Sequence, residues 1–111
     1  MTYKQWDIVL VPLPFTDLSS TKKRPALVIS PENYNKGHDI VIQFLTSNIT
    51  ATPNPGDYLL TEWKESGLPK ASMLRMKFAT VQTGIVVKKI AHLSPPDLKA
   101  LKKELKSFFG L

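Results

Sequence analysis

The chain has no cysteine, which excludes disulfide staples and thiolate-held zinc and makes the cytoplasm its expected address. Glycine is scarce, at five in 111 residues, and no glycine-rich run is present to cradle a phosphate. Only two histidines occur, His38 and His92, too far apart for a His-x-x-x-His metal pair. His38 falls in or beside a loop and His92 near a strand end. Neither stands at a motif spacing from a serine, so both read as structural or solvated. The carboxylates Asp17, Asp57 and Glu62 are scattered without metal-ligand spacing. No metal and no cofactor is therefore expected. The apolar residues come in short clusters, none near the ~20 residues that span a bilayer. The start, Met1 to Gln5, lacks the apolar stretch of a secretion signal, so no membrane partner is expected.

What is present describes one compact unit. A length of 111 residues suits a single domain over residues 1–111, and 42% hydrophobic content is enough for a modest core. The net charge is +6, and its excess lies towards the C-terminus: residues 1–50 carry five basic and four acidic side chains, residues 51–111 ten and five. A basic balance favours an anionic partner, nucleic acid or an acidic protein, although many soluble proteins simply carry surface lysines.

Along the chain, Asp7 to Leu13 is nearly continuous in β-branched and aliphatic residues, predicting a strand buried on both faces, closed by Pro12 and Pro14. Residues 16–23 are polar, combine hydroxyls with positive charge, and read as a candidate binding loop. A second strand is expected from about Pro25 to Ser30, a loop at 31–37, a third strand from about Asp39 to Thr46, and a long polar loop over 47–56. Tyr58 to Thr61 is a short strand, and 62–70 a connection with Gly67 and Pro69. Two strands are expected at about 71–76 and 78–82, then an apolar segment at 84–87 of unassigned type, and a last strand or turn at 88–93. The C-terminus is helical: Ser94 is the N-cap, Pro95 takes the first helical position, and Asp97 completes a Ser-x-x-Asp box. Leu98, Leu101 and Leu105 recur at helical spacing, Lys99, Lys102, Lys103 and Lys106 form the solvated face, and Gly110 ends it. Short strands with one terminal helix imply an α+β, mainly β domain or small barrel.

Two strand ends carry the chemistry. Lys22-Lys23-Arg24-Pro25 sets three cations where the second strand begins, and Thr46-Ser47-Asn48 sets two hydroxyls and an amide where the third ends. If these strands pair antiparallel, Arg24 and Thr46 share one end of the sheet. A guanidinium grips phosphate oxygens with a planar fork and stays charged, and a hydroxyl donates to a developing oxyanion. RNA brings its own nucleophile, the 2′-OH, so such a pair suits a phosphodiester. Alone, the pair reads more readily as a surface cation and a strand-end hydroxyl.

Six segments in order resemble the MazF/PemK family of type II toxins, in its PemK-like branch. They are Asp7 to Asp17, Lys23 to Ser30, Phe44 to Ser47, Gly56 to Leu60, Gly67 to Ser72 and Lys88 to Ser94, spanning essentially the whole chain. The resemblance implies a small, twisted SH3-like barrel with a C-terminal helix, working as a homodimer. It implies metal-free cleavage of single-stranded RNA to 2′,3′-cyclic phosphate and 5′-hydroxyl ends, and a small acidic antitoxin that covers the RNA groove. Because proteins resembling CcdB share the architecture and act on DNA gyrase instead, the fold leaves open a non-catalytic, protein-binding or merely RNA-binding member.

By motif position, Arg24 is the main catalytic cation, Thr46 orients the phosphate, and Arg75 matches a second arginine of some PemK-like members. Lys22, Lys23, Ser47, Asn48 and Lys77 are expected RNA contacts, and Phe15 a base-stacking one; Trp63 reads first as a packing residue. Two positions depart from the family pattern. Trp6 stands where a glycine is usual. Lys77 stands where some members place an acid two residues after the arginine, which leaves Asp17 as the expected general base. The homodimer is expected along the terminal helix, with Phe108, Phe109 and Leu111 buried.

Overall fold

The computed structural model describes residues 2–14, 21–49 and 53–111. Its strands are β1 (Asp7–Pro14), β2 (Thr21–Val28), β3 (Asp39–Thr46), β4 (Tyr58–Leu59), β5 (Met73–Gln82) and β6 (Lys88–His92). Its helices are α1 (Glu32–Asn35), α2 (Trp63–Ser66) and α3 (Pro95–Phe109), with a 3-10 turn at Thr83–Ile85. The strands form one antiparallel sheet in the order β4-β5-β3-β2-β1-β6, curled into a half-barrel. The expected mainly-β, SH3-like architecture with a C-terminal helix is what the chain adopts.

Strand alternation divides the apolar residues between two cores. On one face Ile8, Leu27, Leu45 and Leu74 pack with Leu93 and with Leu101 of α3, and Trp63 packs against them. On the other, Val9, Val11, Ala26, Val28, Ile40 and Ile42 form a second cluster. This is why β1 reads as a continuous apolar run: Ile8 serves one core and Val9 and Val11 the other, all fully buried.

Several boundaries differ from expectation, each for a tertiary reason. β2 begins at Thr21 rather than Pro25, because Lys22, Lys23 and Arg24 find backbone partners in Leu13, Pro12 and Val11 of β1. The loop at 31–37 contains α1, and the 62–70 connection contains α2, which Gly67 ends in the left-handed conformation. The two strands expected at 71–82 are one, β5, interrupted by a bulge. The helix α3 starts and stops where expected, but not by the expected cap. Ser94 makes no side-chain cap bond, and Asp97 does not turn back on its own helix. Asp97 is fully buried and reaches across to β4 and α2, accepting hydrogen bonds from the Tyr58 hydroxyl, the Thr61 N–H and hydroxyl, and the Glu62 N–H at 2.7–3.0 Å. Burial pushes its carboxyl pKa up, yet those donors outweigh the burial and hold it below the usual range; burial and the same contact raise Tyr58 to about 12.

Trp6 has a φ of +76°, the left-handed region that favours glycine. Its main chain cannot relax, since its N–H donates to Val28 at 2.7 Å and its carbonyl accepts from Leu93. The ring packs on the first core with the Lys102 ammonium 5.9 Å from its centroid.

Candidate active site

The site grows out of two irregularities in the sheet. The first is Pro25. It has no N–H to donate, and the β2–β3 ladder stops at Ala26 opposite Phe44, next to it. Continuing that register sets Arg24 opposite Thr46, past the last paired residues. The second lies across β3. Leu45 pairs with Leu74 and Gln43 with Phe78, so Arg75, Met76 and Lys77 all oppose Phe44 alone. A bulge of this kind twists a strand and re-aims its side chains. Buried Gln43 fills it, its amide donating to the Arg75 carbonyl at 2.9 Å with Met76 Sδ 3.8 Å away.

These two features meet. Arg24, Phe44, Leu45, Thr46, Arg75 and Lys77 line one depression of about 110 Å³. The sequence pairs Arg24 with Thr46 by antiparallel logic, and the structure brings them together with Arg75 and Lys77. The Thr46 Oγ1 accepts the N–H of Asn48 at 3.1 Å, which orients the hydroxyl to donate elsewhere. Among the described residues, Arg75 Nε has no hydrogen-bond partner.

Other candidates sit further out. Lys22 and Lys23 are exposed on β2, and Asn48 is exposed beyond β3. Ser47 lines a neighbouring, mostly apolar groove with Leu10, Pro25, Leu68 and Ile90. Phe15 and Asp17 lie outside the described residues. Of the histidines, His38 is exposed, and the half-exposed ring of His92 holds buried Asp7 at 2.8 Å beside the Lys89 ammonium at 3.2 Å. Among the described residues, no three His, Asp or Glu side chains gather where they could hold a metal ion, and no helix is long and apolar enough to cross a membrane.

One residue of the site escapes sequence reasoning. Asp57 reads there as a scattered carboxylate, yet its side chain is 1% exposed and its Oδ2 lies 3.6 Å from the Arg75 guanidinium. Oδ2 also accepts the Asn54 N–H at 2.7 Å. The sequence signals are Gly56 before it and the family resemblance of the segment Gly56 to Leu60. Gly56 has a φ of +88°, and a Cβ there would stand 2.6 Å from Met76 Cγ, so glycine lets this loop close down on the bulge.

Solved structures with this fold are numerous. MazF from Deinococcus radiodurans superposes with a TM-score of 0.76 at 20% identity, covering 100% of this chain and 99% of its own. The Mycobacterium tuberculosis toxin MazF-mt6 gives 0.75 at 17% identity, covering 95% of this chain and 97% of its own. A mycobacterial endoribonuclease, solved in complex with its cognate antitoxin, gives 0.77 at 14% identity, covering 99% and 95%. No curated protein matches the chain. The model of the PemK-like, MazF-like toxins of type II toxin–antitoxin systems matches residues 4–109, and the chain belongs to that family.

Proposed function

We propose that this protein is an endoribonuclease of the toxin type that cuts single-stranded RNA without a metal. The observation that carries the reading is the single depression shared by Arg24, Thr46, Arg75 and Lys77. In this mechanism the 2′-oxygen attacks the adjacent phosphorus while the bond to the 5′-oxygen breaks. The products are a 2′,3′-cyclic phosphate and a 5′-hydroxyl. The 2′-OH proton passes to Asp17, the proposed base, and the departing oxygen takes a proton from solvent. Arg24 clamps the non-bridging oxygens; its high pKa suits charge stabilisation and not proton transfer. Thr46 donates to the same oxygens, and Arg75 spreads the added negative charge. Lys77, Lys22 and Lys23 attract the backbone, Ser47 and Asn48 make further contacts, and Phe15 is the proposed base-stacking residue.

The family membership and the mycobacterial endoribonuclease with its antitoxin support this reading. The proposed partners are single-stranded RNA, a cognate acidic antitoxin that occupies the cationic depression, and a second copy of the chain, in the cytoplasm. The homodimer would cover Phe108, Phe109 and Leu111, which are 49%, 53% and 84% exposed.

The test is incubation of the purified protein with a long unstructured RNA in EDTA, beside Arg24→Ala, with product ends mapped. Discrete fragments ending in cyclic phosphate, absent in the variant, support the nuclease. Intact RNA from a folded wild type overturns it in favour of a binding member of the fold.

A further inference from the structure

Arg75 does not stand in the depression on its own strength. Its closest charged neighbour along β5 is Lys77, and Arg24 faces the same space, so three cations crowd about 110 Å³. Like charges at such range push one another towards solvent. Two contacts oppose this. Gln43 fixes the Arg75 main chain from β3, and Asp57 approaches the guanidinium from the side of β4.

The geometry of Asp57 defines what it can do. With its side chain 1% exposed and its Oδ2 towards the guanidinium, Asp57 is placed to act through Arg75. One oxygen already accepts the Asn54 N–H, so the carboxylate is itself fixed in direction. Its 3.6 Å separation from the guanidinium is beyond a normal hydrogen bond. It therefore attracts Arg75 without using up the donors a phosphate needs. The Gly56 conformation seats the loop on Met76, inside the bulge that carries Arg75.

We propose that Asp57 is a positioning residue that holds the Arg75 guanidinium in the site and balances its charge between turnovers. This rests on the nuclease reading for its catalytic meaning, but the contact itself is separable from it. A fixed supporting group of this kind acts by keeping the working side chain in productive geometry.

A double-mutant cycle tests it, using the full chain, the same single-stranded RNA in EDTA, and Asp57→Asn, Arg75→Gln and the pair together. We expect Asp57→Asn to lower kcat about 10-fold, the coupling expected of contacting residues in one network, with affinity falling only about 2–3-fold. In the Arg75→Gln background the same change should have almost no further effect, and Asp57→Glu should recover part of the loss. Wild-type kcat in Asp57→Asn, or an equal loss in both backgrounds, overturns the proposal, since Asp57 would then act only on its loop. If Asp57→Asn fails to fold, Asp57→Ser, which also removes the carboxylate, carries the cycle with the same criterion. The cycle is repeated on binding of a 2′-deoxy analogue that cannot be cut. A wild type that leaves RNA intact sinks the nuclease reading alone, and coupling or its absence in binding then decides Asp57.

Discussion

The side-chain amide of Gln43, buried in the middle of β3, donates to the main-chain carbonyl of Arg75 at 2.9 Å. The bond crosses the bulge and fixes which way Arg75 leaves the strand. The Gln43 Oε1 is buried without a partner among the described residues, a cost that offsets part of what the bond contributes. Gln43→Leu removes both. It also leaves the Arg75 carbonyl without this donor, so it should cost about 1–3 kcal/mol, while cutting kcat/KM about 10-fold or more through a misdirected arginine. Thermal melts and steady-state cleavage, run on one preparation, separate the two effects.

Lys77 projects from the same bulge and is exposed. As the proposed backbone contact it should give affinity without discrimination. Lys77→Ala should weaken binding of all single-stranded RNAs alike and reduce the slope of log Kd against log salt by ~0.7. An unchanged slope in a salt titration would remove it from the RNA path.

At Trp6 the expected ranking of two substitutions is inverted. Elsewhere in a folded chain Ala is more stable than Gly by about 0.5–1 kcal/mol. Both replacements of Trp6 lose the ring's packing, but only Gly relieves a φ of +76° that hydrogen bonds on both sides prevent from relaxing. Trp6→Gly should exceed Trp6→Ala in stability by about 1 kcal/mol, as measured by urea denaturation.

Asp97 makes the stability of the fold sensitive to acid. Its folded pKa lies below the unfolded value, so its contribution is full above about 3.9 and lost as pH falls through the folded pKa. Asp7 acts in the same direction: burial raises its pKa, and the Lys4 N–H, His92 and Lys89 more than reverse that. Tyr58, raised to about 12, contributes below about 10, and that contribution fades as pH climbs through 12. Asp97→Asn should cost about 2–3 kcal/mol at neutral pH and flatten the loss of stability between pH 5 and 2, read from denaturant midpoints at each pH.

What could be read in advance was local or strictly periodic. The run Ile8 to Val11 announces a doubly buried strand, and Pro95, Gly110 and the leucine spacing bound α3, because each depends on near neighbours. Arg24 and Thr46 could be paired because antiparallel hairpin logic needs only the order of strands. The bulge at Arg75 could not, since it is decided by Gln43 on another strand. The capping box at Ser94 shows the same limit: its pattern is present, but Asp97 finds better donors some 35 residues away, at Thr61 and Glu62. Asp57 escapes for this reason too, its partner lying on a strand that the sequence alone does not set beside it.

The helix α3 touches this machinery at both ends. Its first turn sends Asp97 to Thr61 and Glu62. Its last lays the Phe108 ring 3.6 Å from where a Cβ on Gly56 would stand, and Phe108 and Phe109 pack with Phe78. The loop bearing Asp57 is thus held by residues synthesised about forty to fifty positions after it. On the ribosome, Arg24, Thr46 and Arg75 all emerge before the segment that steadies their support. A half-made chain therefore carries these cations before the contacts that steady the Asp57 loop can form.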